Sequence, residues 1–191
     1  MLDDIIPSKT RRKVLALFFG NSTEAFHLRR VSREVSEEVN AVKRELDILE
    51  KAKVLLKEKR LNKSIYVLNT RYILHDEFMR IFCKDSPLAR HIQAHKAALG
   101  KVKFIAMSLK LMKKVAISDS EVYVIFVGTI ASKEVQKIIH DVEKDYPFEI
   151  NYTVMTAEEL TFRKRQNDPF IWAFLKEPKV MIAGSEADLM A

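Results

Sequence analysis

A chain of 191 residues with 48% hydrophobic side chains can fill one large core or two small ones, and only 4 Gly and 5 Pro argue against disorder and against an all-β fold. One cysteine, Cys83, excludes an internal disulfide, and neither a signal-peptide apolar region in residues 1–13 nor an apolar run near the roughly 20 residues of a membrane span is present, so a cytoplasmic chain with no membrane partner is expected. The net charge of +7 is uneven: residues 1–75 hold 16 Lys+Arg against 10 Asp+Glu (+6), and residues 76–191 hold 17 against 16 (+1). Phosphate neutralisation supplies most nonspecific DNA affinity, and the first part carries the charge for it.

The first predicted element is a helix over Thr10–Phe19, with Ser8 as its N-cap, Val14, Leu15, Leu17 and Phe18 on its core face, and Gly20, Asn21 and Ser22 ending it. Phe26 begins a short strand expected to pair with a later hairpin. Residues 28–52 then read as two short helices. Leu28, Val31 and Val35 form one apolar stripe, the polar Ser36, Glu37 and Glu38 break it, and Val39, Val42, Leu46 and Leu49 form a second. The face opposite the second stripe carries Asn40, Lys43, Arg44 and Asp47. Taken alone, this reads better as a helical hairpin with solvated charges.

The hairpin that follows shifts the balance. Val54–Leu56 and Ile65–Leu68 are apolar runs flanking the charged residues 57–60, with Asn62 and Lys63 as turn residues. Helix, helix-turn-helix, then hairpin is the order of a winged helix-turn-helix. The run from Phe26 to Asn69 resembles the winged helix-turn-helix domain of prokaryotic transcriptional regulators. Members often read Leu-Arg-Glu-Leu in the first helix and Val-Asn-Ala-Val-Arg-Arg-Glu-Leu in the second. This chain has Leu28-Arg29-Arg30-Val31 and Val39-Asn40-Ala41-Val42-Lys43-Arg44-Glu45-Leu46, with Ser36 where the family's turn usually has Gly. The resemblance covers about residues 8–75. It implies double-stranded DNA as partner, with Asn40, Ala41, Lys43 and Arg44 facing the major groove and Arg60 and Lys63 of the wing on phosphates or in the minor groove. Arg29, Arg30, Lys59 and Asn62 complete the expected DNA-binding set.

Residues 73–99 read as a helical connector. Residues 72–83 are amphipathic, with Ile73, Phe78, Ile81 and Phe82 as apolar members, and a second helix starts at Pro87 and stops at Gly100. Such a connector either makes a dimer contact or packs on its own chain. His91 and His95, four apart, have the spacing to share a metal, but no acidic or cysteine cluster completes a ligand set. No metal site and no cofactor are expected.

The remainder alternates strand and helix patterns: a strand at Val102–Met107, a short helix at Ser108–Val115, a buried strand at Val122–Val127, a helix at Ser132–Lys144, and a strand at Phe148–Met155. Thr156 then caps a helix with Glu159 as its box partner. Asp168 and Pro169 start another helix reaching Leu175, and Val180–Ala183 adds a last strand. This is a small α/β domain with a mixed central sheet, so the whole chain is α+β: residues 1–72, a connector at 73–99, and residues 100–191.

In layout, residues 85–191 resemble the minimal nucleotidyltransferase domain; an unrelated α/β domain is the alternative. In that family a Gly-Ser turn admits the nucleotide phosphates, and an Asp pair with one residue between holds Mg²⁺. Here Met107 stands for the Gly before Ser108, the family's Ala-Arg-Gly is missing, and the strand entry reads Asp119-Ser120-Glu121-Val122-Tyr123-Val124. Glu121 falls at the first carboxylate position and Tyr123 at the second, where a neutral phenol is a poor ligand for a hard cation. Ser108, Asp119, Glu121 and Tyr123 thus mark a degenerate nucleotide site without catalytic residues. No Gly-rich phosphate loop, nucleophile elbow or His-Glu-x-x-His motif is present. The expected function is a sequence-specific, homodimeric DNA-binding regulator whose non-catalytic C-terminal domain dimerises, senses an effector or meets a protein partner. An active nucleotidyltransferase with a nucleic-acid-binding appendage is the alternative.

Overall fold

The computed structural model describes residues 2–60, 63–118 and 121–191, with Arg60 and Lys63 described by backbone only. The chain is mixed α and β and divides into two compact units, Met1–Asp85 and Ser86–Ala191. The boundary falls inside the segment expected as a connector.

The first unit starts with α1 (Lys9–Phe19), where the Ser8 hydroxyl accepts from the Arg11 backbone N–H. Strand β1 (Ala25–His27) leads directly into α2 (Leu28–Val35), and α3 (Val39–Lys51) follows. The α2–α3 turn depends on Ser36, which is left-handed at φ 50° and ψ 53°. Ser32 Oγ donates to the Glu37 carbonyl at 2.7 Å, and Lys13 Nζ on α1 donates to the Val35 carbonyl and the Glu37 carboxylate at 2.8 and 2.6 Å. The Lys13 bond is the largest cause holding the Glu37 carboxyl below its usual range. Helix α3 turns Val42, Leu46 and Leu49 inward, as its spacing predicts, while Val39 remains 41% exposed at the first turn.

Strands β2 (Leu55–Arg60) and β3 (Lys63–Leu68) form an antiparallel hairpin, and β1 adds to β3 to give the order β1-β3-β2, with Phe26 opposite Tyr66. Phe18 meets Phe26 edge-on at 5.1 Å, joining α1 to this sheet. Helix α4 (His75–Lys84) packs on α1: Phe19 stacks on Phe78 at 5.6 Å and on Phe82 at 5.2 Å. The inward residues of α4 are Met79, Phe82 and Cys83, whereas Ile73 and Ile81 are 87% and 40% exposed. Both sides of this segment are apolar, so spacing alone does not select the face that Phe19 selects. Burial pushes the Cys83 thiol up to about 12, which keeps it protonated and unreactive at neutral pH.

The second unit opens with α5 (Pro87–Ala94) and a 3₁₀ turn over Lys96–Leu99. Its sheet comprises β4 (Gly100–Ser108), β5 (Val124–Ile130), β6 (Tyr152–Met155) and β7 (Lys179–Ala183), in the order β6-β5-β4-β7. The β5–β6 pair is parallel, crossing over through α6 (Ser132–Glu143); the other two pairs are antiparallel. Helices α7 (Ala157–Arg165), α8 (Pro169–Lys176) and α9 (Glu186–Met190) complete the unit. Phe104, Ala106, Ile125 and Val127 form one core with Leu160, Ile171, Phe174 and Leu189. Ile105, Met107, Val124 and Phe126, which alternate with them, are buried too, so the sheet is covered on both faces.

Two devices shape this sheet. The β4–β5 register shifts between Val102 and Phe104, and Gly128, opposite, has φ 145° in a space where a Cβ would lie 2.2 Å from the Lys101 carbonyl oxygen. On edge strand β7, Lys179 points inward: its Nζ donates to the Leu175 carbonyl at 2.6 Å, an arrangement that discourages edge-to-edge pairing.

Three expected element bounds in this unit are corrected. Residues 109–114 form turns, not a helix; Leu109, Leu111 and Met112 are buried, but Lys114 is left-handed at φ 51°. The helix from Pro87 ends at Ala94, so His95 is its cap and no single α-helix runs to Leu99. The strand expected from Phe148 begins only at Tyr152. No helix among the described residues is long and apolar enough to cross a membrane.

Candidate functional site

Two places concentrate polar groups at expected positions. The first is the outer face of α3. Asn40, Lys43, Arg44 and Asp47 are exposed, and Ala41 is half-buried. What faces inward on the same helix anchors it. Glu45 accepts from Ser8 Oγ at 2.6 Å and from Arg11 Nε at 2.7 Å, so one carboxylate ties α3 to the first turn of α1. The exposed cations Lys43 and Arg44 therefore sit on a helix fixed from behind by Glu45, by the Glu37 bridge and by the apolar stripe.

Arg29 on α2 is exposed as well. Arg30 is committed internally: it donates to Glu24 at 2.6 Å and to Glu34 at 3.5 Å, and its guanidinium lies 4.4 Å from the centre of the Phe26 ring. The Glu24 bond is the largest cause of its raised pKa. Its geometry makes it a brace between β1 and α2. On the hairpin, Lys59 is exposed, and Arg60 pairs with Lys63 in the ladder. Asn62, expected in the turn, lies outside the described residues.

The second place is the end of β4 and the entry to β5. Ser108 is buried; its hydroxyl accepts from the Lys110 backbone N–H at 3.2 Å and donates to Glu177 at 3.4 Å. Lys110 Nζ lies 2.5 Å from Glu121 Oε1 and 2.5 Å from Glu177 Oε1. The other Glu121 oxygen accepts from the Ser118 backbone and hydroxyl, each at 3.1 Å. The Lys110 bond is the first cause lowering the Glu121 pKa, and Glu121 followed by Glu177 raises that of Lys110. Tyr123 is buried, stacks on Phe148 at 4.9 Å and donates its hydroxyl to the Val115 carbonyl at 2.8 Å. Ser108 and Glu121 thus meet in one cluster, through Lys110 and Glu177, two residues that the motif comparison did not single out. Asp119 lies outside the described residues.

This donor set does not fit a divalent cation. A metal needs carboxylate oxygens free to coordinate, and an ammonium already holds both Glu121 and Glu177. Tyr123 directs its only oxygen to a backbone carbonyl. Beside the cluster, a shallow cleft lined by Glu121, His140, Glu143 and Glu149 is acidic, the wrong sign for nucleotide phosphates.

His91 and His95 rings lie 4.4 Å apart, His95 Nδ1 is 2.9 Å from the His91 carbonyl oxygen, and His91 Nε2 is 3.5 Å from Asp141. No group of three metal-ligating side chains occurs among the described residues. No protein-family model matches the chain, and no match was found among curated proteins or solved structures.

Proposed function

We propose that this chain is a sequence-specific, cytoplasmic DNA-binding regulator, with a winged helix-turn-helix in residues 1–72 and a catalytically silent, nucleotidyltransferase-like C-terminal domain. The observation that carries the reading is the two-sided character of α3. One side is locked to α1 through Glu45 and buried through Val42, Leu46 and Leu49, while the other presents Asn40, Lys43 and Arg44 to solvent. A recognition helix needs both properties, a fixed frame and polar groups able to reach base edges. On the adjacent hairpin Lys59 is exposed, and the proposal puts Arg60 and Lys63 on phosphates or in the minor groove. Arg30 is left out of the contact set because its guanidinium is held by Glu24 and Phe26.

The silent reading of the second domain is supported by Lys110. A lysine ammonium lies between two carboxylates in the region where the family places its metal, and it offers no Lewis acidity toward a triphosphate. One such module contacts few base pairs, so a homodimer reading two related half-sites is part of the proposal. The test is selection of duplexes from a random pool by the full chain, with light scattering of the selected complex. Two related half-sites bound by two chains support the proposal; no enrichment above the starting pool contradicts it.

A further inference from the structure

The second unit carries a cleft that neither the proposed DNA-binding face nor the Lys110 cluster uses. It lies between α7, the irregular part of β4 and the turn after β7, encloses about 600 Å³ and continues into a shallower extension that shares Lys103, Ala157, Thr161 and Arg165. Its floor is apolar, made of Phe104 and Leu160, both buried at one end of the core.

Three cations line it, and each is there for a structural reason. In a regular strand Lys103 and Phe104 would point to opposite faces. The register shift between Val102 and Phe104 breaks that alternation, so both line the cleft, with Lys103 Nζ 5.4 Å from the centre of the Phe104 ring. Gly184 lets the chain close behind them. It has φ +77°, and a Cβ there would meet Phe104 at 2.4 Å. Lys164 Nζ donates to the Leu189 and Met190 carbonyls at 3.1 and 3.0 Å, which uses two of its three N–H donors. Arg165, in the last turn of α7, is exposed.

Asp188 lines the cleft beside Leu189 and Ala191, Glu158 lines only the extension, and both carboxylates are engaged locally. Asp188 Oδ2 accepts from the Ser185 hydroxyl at 2.6 Å, and Glu158 sits in the first turn of α7, bonded to its own backbone N–H and to Thr156. Phe162, 63% exposed, stands at the mouth of the extension beside Arg165. An apolar floor, an excess of cations on the wall and an exposed ring at the entrance match the shape and charge of one kind of ligand. The volume lies within the range of small-molecule sites.

We infer that the cleft between Lys103, Leu160 and Arg165 binds a small organic anion, an apolar body of about aromatic size bearing one carboxylate or phosphate group. The apolar body lies on Phe104 and Leu160, and the anionic group meets Lys103, Arg165 and the remaining Lys164 donor. Binding stands apart from the duplex-binding reading; only use of the anion as a regulatory effector rests on it.

The test uses the full-length chain and the fluorescent aryl sulfonate anilinonaphthalene sulfonate. Expected are saturable binding near one equivalent, a loss of about tenfold or more in affinity for the Lys103→Ala/Arg165→Ala variant, and weak binding of the uncharged analogue phenylnaphthylamine. Displacement by indole acetate or by phenyl phosphate assigns the natural group to carboxylate or phosphate. Four results overturn the inference: no saturable binding, unchanged affinity in the double variant, equal binding of the uncharged analogue, or displacement by neither competitor. A protein or nucleic acid that binds this face while both small anions fail also overturns it. The duplex-binding reading depends on Lys43 and Arg44 and is titrated without any aryl anion, so the two failures are distinguishable.

Discussion

Arg11 Nε donates to Glu45 Oε2 across 2.7 Å, and this bond, with the Ser8 bond to the other oxygen, fixes the angle at which α3 leaves the body of the first unit. The Glu45 side chain is 12% exposed and that of Arg11 36%, so solvent weakens the pair only in part. Glu45→Ala removes the acceptor for two donors at once. A loss of about 1–2 kcal/mol in unfolding free energy is expected, measured by urea denaturation. Stability within a few tenths of wild type would mean that α3 is held by its apolar stripe alone.

Ser36 gives a gain in the opposite direction. Its φ of 50° and ψ of 53° place an L residue in the left-handed region at the C-cap of α2. Glycine adopts that conformation without the Cβ penalty, although it loses more freedom on folding. Ser36→Gly is expected to stabilise by roughly 0.5 kcal/mol, seen as a rise of a few degrees in Tm. A fall in Tm would show that the serine side chain contributes more than its backbone strain costs.

Lys110 and Glu121 set a pH dependence whose sign is fixed by the direction of their shifts. Glu121 is lowered from an ordinary 4.5, so its stabilising contribution is present above that value and is lost as pH falls through the folded-state value. Lys110 is raised from 10.5, so its contribution is complete below that and is lost only at strongly alkaline pH. Glu121→Gln should therefore flatten the acid limb of a stability profile below about pH 4.5 while leaving the neutral slope unchanged. Lys110→Met should destabilise at neutral pH, because Glu121 and Glu177 then face each other without a counter-charge. An unchanged acid limb in Glu121→Gln would mean that solvent already screens the pair.

The same lysine predicts how the second domain treats nucleotides. Titration with ATP, CTP, GTP and UTP in Mg²⁺ or Mn²⁺ is expected to give no metal-dependent binding and no nucleotide transfer. Metal-dependent binding abolished by Glu121→Gln would instead promote the nucleotidyltransferase alternative.

The two short helices over residues 28–52 were legible because their inward residues repeat at helical spacing and the turn between them is polar: Val42, Leu46 and Leu49 are buried, and the turn does fall at Ser36. The short strand expected at Phe26 does pair with the hairpin, opposite Tyr66. Residues 109–114 misled because three buried apolar residues at near-helical spacing also suit a tight turn over a sheet end. The inner face of α4 was ambiguous because Ile73 and Ile81 compete with Met79 and Cys83, and only Phe19, far earlier in the chain, decides between them. Helix α9 has Leu189 as its one buried residue, too little for a periodic signal. Glu159, expected to close a capping box with Thr156, accepts from Arg163 at 2.8 Å, although Thr156 does cap α7. At the Lys110 cluster, Ser108 and Glu121 were singled out from the sequence, but Glu177 reaches Lys110 only through the fold, and no local pattern announces that meeting.

The central claim is that α3 carries the DNA-binding face, and salt-dependent binding to a mixed-sequence duplex tests it most directly. Fluorescence anisotropy across a salt series is expected to give a linear fall of log affinity with log salt for the wild type, with a slope of about −0.9 per phosphate contacted. Lys43→Ala/Arg44→Ala should weaken binding at every salt concentration and reduce that slope, while unfolding at the same urea concentration as wild type. Equal affinity and equal slope for wild type and the double variant would contradict the account.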